Sequence, residues 1–156
     1  MEFFMLDEYK KNLKERNQLD IDAKPLNAEQ VSALIDLLIS PPRGEEKLIK
    51  CLFVERVPPG VDDAAMVKAN FLSDLASGKE KSPLIDKQEA VGLLGTMLGG
   101  YNIESMIDFL DVPELGKEAA KSLSNTILVF DYFDNYVDFY SNKSIVVLKS
   151  NNKRLD

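Results

Sequence analysis

The sequence contains no histidine and no tryptophan, and its only cysteine is Cys51. Without an imidazole there is no Ser-His-Asp triad, no Cys-His pair and no imidazole proton shuttle. A lone cysteine cannot close a disulfide within the chain, build a zinc knuckle or hold an iron–sulfur cluster. Positive charge is scarce too: 19 Lys and Arg stand against 26 Asp and Glu, a net of −7. That balance argues against free-standing nucleic-acid binding, which needs a basic footprint. Long apolar runs are missing, since Leu37 to Ile39 and Ile127 to Phe130 are only a few residues each, far short of a membrane span. Met1-Glu2-Phe3-Phe4 is no basic leader before a long apolar run, so no secretory signal is expected. With the unpaired cysteine, this favours a reducing cytoplasm and no membrane partner.

What is present suffices for one domain. The chain has 156 residues, 45% of them apolar, enough to bury a core. The apolar spacing is helical almost throughout. Phe3, Leu6, Tyr9, Lys10 and Leu13 follow steps of three and four. Asn27 and Gln30 predict a capping box, with Val31, Leu34, Ile35 and Leu38 as the stripe behind it. Ser40-Pro41-Pro42-Arg43-Gly44 ends that helix, because proline lacks an N–H and restricts its predecessor. A third helix is predicted from Glu45 to Arg56, with Leu48, Ile49, Leu52 and Phe53 inward, and Val57-Pro58-Pro59-Gly60 breaks it.

Asp62 or Asp63 caps the fourth helix, which carries Ala65, Met66, Ala69, Leu72 and Leu75 and closes at Gly78. Asp86 to Glu89 reads as a second capping box, opening a helix through Leu98. Asn102 is expected to cap a short helix ending at Leu110. A long segment then carries Leu115, Ala119, Leu123, Ile127 and Phe130, and Ile145 to Leu148 reads as a weak helix. No segment shows the two-residue alternation of a half-buried strand. A double proline before an acid-capped helix occurs twice, at Pro41-Pro42 and Pro58-Pro59. The fold class expected is all-α, a stack of antiparallel helix pairs.

Candidate chemistry is sparse. Cys51 lies between apolar neighbours and reads as a small buried side chain. Gly92, Gly95 and Gly99 share a helical face, which suits close approach of another backbone. A phosphate loop is disfavoured, because no Gly-Lys-Ser/Thr follows and no strand precedes. Gly99-Gly100-Tyr101-Asn102 reads either as a helix C-cap followed by an N-cap, or as a surface turn that contacts another domain or a substrate path. Asp131, Asp134 and Asp138 form an acidic face that lacks the spacing of a calcium loop, so no metal site is expected. The aromatics from Phe130 to Tyr140 exceed what one helix buries and suggest an outside contact. The chain is uneven in charge: Glu104 to Tyr140 is acidic, and Ser141 to Asp156 carries four basic residues and one acid.

Ordered motifs carry a resemblance. They are Lys24-Pro25-Leu26-Asn27, Pro41-Pro42-Arg43-Gly44-Glu45-Glu46, Arg56-Val57-Pro58-Pro59-Gly60-Val61-Asp62, Val67-Lys68-Ala69 with Phe71-Leu72, and Lys81-Ser82-Pro83-Leu84. The longest is Leu93 to Ile103, containing Gly95-Thr96-Met97-Leu98-Gly99-Gly100-Tyr101-Asn102, and Leu123-Ser124-Asn125-Thr126 with Phe130-Asp131 follows. Together they resemble the start of the bacterial aconitate hydratase B family, over roughly residues 5 to 140. Where that family commonly has His, this chain carries Glu104 and Asn125.

The resemblance implies an N-terminal HEAT-like domain, an α–α superhelix, over residues 1–140, with 141–156 as a poorly matched helix or tail. It implies a non-catalytic protein–protein interaction domain within a hydro-lyase of the tricarboxylic acid cycle, which isomerises citrate to isocitrate through cis-aconitate. The family domain is linked to dimerisation, active-site access and an mRNA-binding switch. No catalytic residue is expected in this chain, and the family's 4Fe–4S cluster would be held by domains beyond it. Expected partners are the catalytic domains or a second copy; mRNA is an expectation for the whole enzyme rather than for this chain. The interaction candidates are Gly99, Gly100, Tyr101 and Asn102, with Arg56, Pro58, Pro59 and Gly60 second. The alternative is an independent helical-repeat adaptor for an unrelated protein.

Overall fold

A computed structural model describes residues 2–98 and 100–125, with the side chains of 2–4 set aside. Among the described residues there are seven α-helices, one 3₁₀ turn and no strand. The helices are α1 (Glu2–Asn17), α2 (Ala28–Ile39), α3 (Glu46–Glu55), α4 (Asp63–Ser77), α5 (Lys87–Leu94), α6 (Ile103–Asp108) and α7 (Gly116–Asn125), with the 3₁₀ turn at Phe109–Asp111. The fold is all-α, as the periodicity predicts.

Local rules set most boundaries. Asn27 and Gln30 form the full capping box: the Gln30 amide donates to Asn27 Oδ1 at 2.9 Å and the Asn27 amide to Gln30 Oε1 at 3.1 Å. This pairs two donors that the first turn of a helix leaves open. Of the two acids proposed for α4, Asp62 is the cap, accepting from the Ala65 amide at 3.0 Å. Gly78 closes α4 at φ +82°, a left-handed conformation that L side chains rarely adopt. The two double-proline turns lead into α3 and α4 as expected, but Glu45 makes no side-chain cap where Asp62 does.

Other boundaries move. Helix α5 ends at Leu94 rather than Leu98, and Gly95 closes it with ordinary helical φ and ψ. The second capping box is only half formed. Asp86 accepts from the Glu89 amide at 2.8 Å, while the Glu89 carboxylate turns to Lys50 Nζ at 2.7 Å. Asn102 precedes α6 without capping it by its side chain. Ile127, Phe130, the acidic face at Asp131, Asp134 and Asp138, the aromatics to Tyr140 and the segment 141–156 lie outside the described residues, as do Gly99 and the side chain of Phe3.

One core unites the helices. Leu6 from α1, Leu34, Leu37 and Leu38 from α2, Phe53 from α3, Leu72 from α4, Leu94 from α5 and Met106 from α6 are all fully buried. Each such side chain stabilises the fold by roughly 1.5–3 kcal/mol. Phe53 and Phe71 meet edge to face, 5.7 Å between centroids at 87°, a favoured aromatic geometry. Helix α4 packs on α2 and α5, and α7 packs on α5 and α6.

Four inward assignments need correction. Ile49, Leu52 and Phe53 are buried on α3, but Cys51 points to solvent, because that triad leaves position 51 on the outer side of a 3.6-residue turn. Met66 is 37% exposed, and the buried face of α4 runs instead through Ala65, Lys68, Ala69 and Leu72. Leu48 and Ile35 are only half-buried at the edge of the core. The glycine face is accounted for by packing: Gly92 and Gly95 face Glu118 and Ser122 of α7. A Cβ on Gly95 would lie 2.5 Å from the Ser122 side chain and 3.0 Å from its Cα, so glycine alone permits that approach.

Candidate functional site

The two groups of candidate residues meet. The turn after α3 runs through Pro58, Pro59, Gly60 and Val61, and the turn after α5 through Leu98, Gly100 and Tyr101. The Leu98 amide donates to the Pro59 carbonyl at 3.0 Å. The Tyr101 hydroxyl donates to the Val61 carbonyl, also at 3.0 Å. Gly100 holds φ +100°, and Val61 Cγ1 lies 3.5 Å from where its Cβ would be. Two turns about forty positions apart in sequence therefore form one surface. Val61 is 60% exposed, Leu98 40% and Tyr101 37%.

Each element has a local reason. Prolines 58 and 59 fix φ and remove two backbone donors, which stops α3 and extends the chain. Arg56 is the last residue of the α3 cap, its amide bonded to the Leu52 carbonyl. Its own carbonyl accepts from the Leu26 amide at 2.9 Å, so Arg56 ties the turn to the segment before α2. Val57 is buried and anchors the turn from below.

Asn102 belongs under this surface rather than on it. It is fully buried, and its Nδ2 donates to the Leu94 carbonyl at 2.8 Å. That bond satisfies a carbonyl at the end of α5, where intrahelical partners run out. Its Oδ1 makes no hydrogen bond among the described residues. Asn102 thus ties the start of α6 to the end of α5, a duty that the capping pattern of α6 does not reveal.

Sequence reasoning passed over Lys68. It is 2% exposed, and its ammonium donates to the Val54 carbonyl at 3.3 Å and lies 5.3 Å from the Phe53 ring centroid. Burial pushes it down from 10.5 to about 8, and the nearby Glu55 carboxylate offsets part of that fall. A cation at the last carbonyls of α3 complements the helix dipole and fixes the end from which the Pro58-Pro59 turn departs. The signal was available: Lys68 lies three residues after Ala65 and four before Leu72, on the core face.

Among the described residues no three His, Cys, Asp or Glu side chains converge as metal ligands. An open cleft of about 370 Å³ lies between the end of α4, Lys87 and the 3₁₀ turn, with Phe109 and Leu115 in its lining. Its lysines already have structural work. Lys87 Nζ lies over Gly78, 2.9 Å from the position of a Cβ there, and Lys79 pairs with Asp74 at 3.5 Å, both at the negative end of α4. The joined turns offer a contact surface, with the Leu98 amide and the Tyr101 hydroxyl paired across it and the side chains of Val61, Leu98 and Tyr101 exposed.

The family model described as the aconitate B N-terminal domain matches residues 8–152. This chain belongs to the aconitate hydratase B N-terminal domain family. It is 54% identical over 129 residues, 83% of its length, to aconitate hydratase B of Escherichia coli strain K12. It is 50% identical over 134 residues, 86% of its length, to aconitate hydratase B of Pseudomonas aeruginosa. The identity is 45% over 131 residues, 83% of the chain, for the protein of that name from Helicobacter pylori strain J99. The chain spans about 15% of the length of these relatives.

The donor set of this chain does not fit a 4Fe–4S cluster. Its single thiol, Cys51, stands exposed on α3, and such clusters are held by several cysteine thiolates. No helix among the described residues is long and apolar enough to cross a membrane.

Proposed function

We propose that this chain is a non-catalytic protein–protein interaction domain of the aconitate hydratase B type, a HEAT-like α–α superhelix that docks on the catalytic part of such an enzyme. The observation that carries this reading is the joined surface of Pro59, Val61, Leu98, Gly100 and Tyr101, lying within the motifs matched to the family. The reaction of the assembled enzyme is the hydro-lyase isomerisation of citrate and isocitrate in the cytoplasm. The chemistry and the iron–sulfur cluster belong to the remaining 85% or so of the polypeptide, as the 15% coverage of the relatives suggests. The net charge of −7 speaks against this chain supplying the phosphate contacts of mRNA binding.

The test is a chimera in which this chain replaces the matching 129 residues of the Escherichia coli enzyme. Tyr101→Ala is expected to leave the helicity of the isolated chain unchanged by circular dichroism. In the chimera the same substitution is expected to release the domain, detected as faster limited proteolysis at the junction. Unchanged proteolysis would remove this surface from the docking interface. Retained helicity with no docking in any variant would favour the adaptor reading.

A further inference from the structure

We propose that the joined-turn surface receives an apolar segment flanked by lysine or arginine, carried by the polypeptide that the longer relatives possess beyond the matched region. This rests on the docking reading above and adds the chemistry of the occupant.

Three observations support it. First, the exposed side chains of the surface are largely apolar, and two of its polar groups are paired across it. The Tyr101 hydroxyl is bonded to Val61 and the Leu98 amide to Pro59, while Val61, Leu98 and Tyr101 remain 60%, 40% and 37% exposed. A partner gains contact there by burying apolar area, the usual arrangement at the centre of an interface.

Second, the surroundings are acidic. Neither the stretch from Val57 to Val67 nor that from Gln88 to Gly116 contains a Lys or Arg. The first carries Asp62 and Asp63 and the second Glu104, all exposed. The Asp62 carboxylate lies 3.7 Å from where a Cβ on Gly60 would be, beside the turn itself. The basic side chains nearest in sequence are Arg56, half-buried directly before the turn, and Lys68, buried with its ammonium on the Val54 carbonyl. An acidic rim around an apolar centre selects a partner with basic flanks, through both on-rate and rejection of like charge.

Third, charge disfavours a second copy of this chain as the occupant. A two-fold contact would set the same acidic rim against itself on a chain of net charge −7. The chain covers 15% of each relative, and the polypeptide that those relatives carry beyond the match supplies the partner.

The experiment uses the full chain, isotopically labelled for amide NMR, and two synthetic peptides. Both peptides share a Leu-Val-Val-Leu core; one is flanked by lysines and the other by glutamates. The lysine-flanked peptide is expected to shift the amides of Val61, Gly100 and Tyr101, and to bind at least about tenfold more tightly than the glutamate-flanked one. Raising the salt from about 50 to about 200 mM is expected to weaken it several-fold. Asp63→Asn, which leaves the Asp62 cap in place, is expected to weaken it without moving the unfolding midpoint. Equal binding of the two peptides, shifts confined to another face, or no binding of either overturns the proposal. So does salt-weakened dimerisation in sedimentation that broadens these same amides. Selective binding of the lysine-flanked peptide combined with a chimera that does not dock would separate the two ideas, sinking the docking reading while the surface chemistry stands.

Discussion

Lys68→Met isolates the most unusual charge in the domain. The substitution keeps an unbranched side chain of similar length and removes the ammonium. Lys68 is 2% exposed and titrates at about 8 instead of 10.5. The folded state therefore holds this proton less tightly than the unfolded chain does. Below about pH 8 both states are protonated, and the depressed value represents a cost of about 3 kcal/mol to the folded form. Between about 8 and 10.5 the unfolded chain keeps the proton and the folded one has released it, so stability rises with pH. Above 10.5 both are neutral and the cost has gone. Lys68→Met never carries it. Against this the variant loses the bond to the Val54 carbonyl, about 1 kcal/mol, and a contact with Phe53 of similar size. Near pH 7 the variant is expected to match the parent chain or exceed it by about 1 kcal/mol.

The sharper quantity is the difference between the two chains as pH changes. Urea unfolding followed by circular dichroism, at intervals from about pH 7 to pH 10, subtracts every titration they share. The parent is expected to gain on the variant by about 2 kcal/mol over that range, most of the shift carried by Lys68. A constant difference across the range would show that Lys68 titrates as in water, and would refute the account of it as a buried cation.

Gly95→Ala is expected to destabilise the domain by about 1–3 kcal/mol in thermal unfolding, because its Cβ would meet Ser122 at 2.5 Å. Gly92→Ala, with only a side-chain oxygen at 3.7 Å, is expected to be neutral or to stabilise by up to about 1 kcal/mol through helix propensity; equal effects at the two sites would refute the packing account. Asn102→Asp places a carboxylate in a fully buried position against the Leu94 carbonyl and is expected to cost about 3 kcal/mol or more near neutral pH by urea unfolding, with less loss in acid, where the carboxyl is protonated. Asn27→Ala removes the α2 capping box and is expected to lower stability by about 1 kcal/mol in the same assay, whereas a change under a few tenths would show that the core alone sets that helix start.

Much of the helix pattern was legible because it is set by neighbours in sequence. Asn27 with Gln30, Asp62 with Ala65, and Gly78 at a left-handed turn are fixed within a few residues. The misplacements arose where distant residues compete for the same group. Glu89 was free to complete a capping box, but Lys50, thirty-nine positions away, takes its carboxylate. Asn102 had the sequence position of a cap, yet its amide turns inward to the Leu94 carbonyl, which also accepts from the Met97 amide. Cys51 is exposed where a buried thiol was expected, and Lys68 is buried, because periodicity, rather than the polarity of a single side chain, decides which face of a helix is buried.

The sequence by itself determined that the domain is helical, roughly where its helices start and stop, and which chemistry a chain without histidine and with one cysteine lacks. Its motifs also carried the family. Only the tertiary structure decided that Pro59 and Val61 on one turn meet Leu98, Gly100 and Tyr101 on another. It likewise decided that a lysine is buried at the end of the helix leading into the first turn. The division has a physical reason. Caps, prolines and apolar periodicity act over one or two turns of chain, whereas a surface joined across forty residues exists only once α4 and α5 have packed.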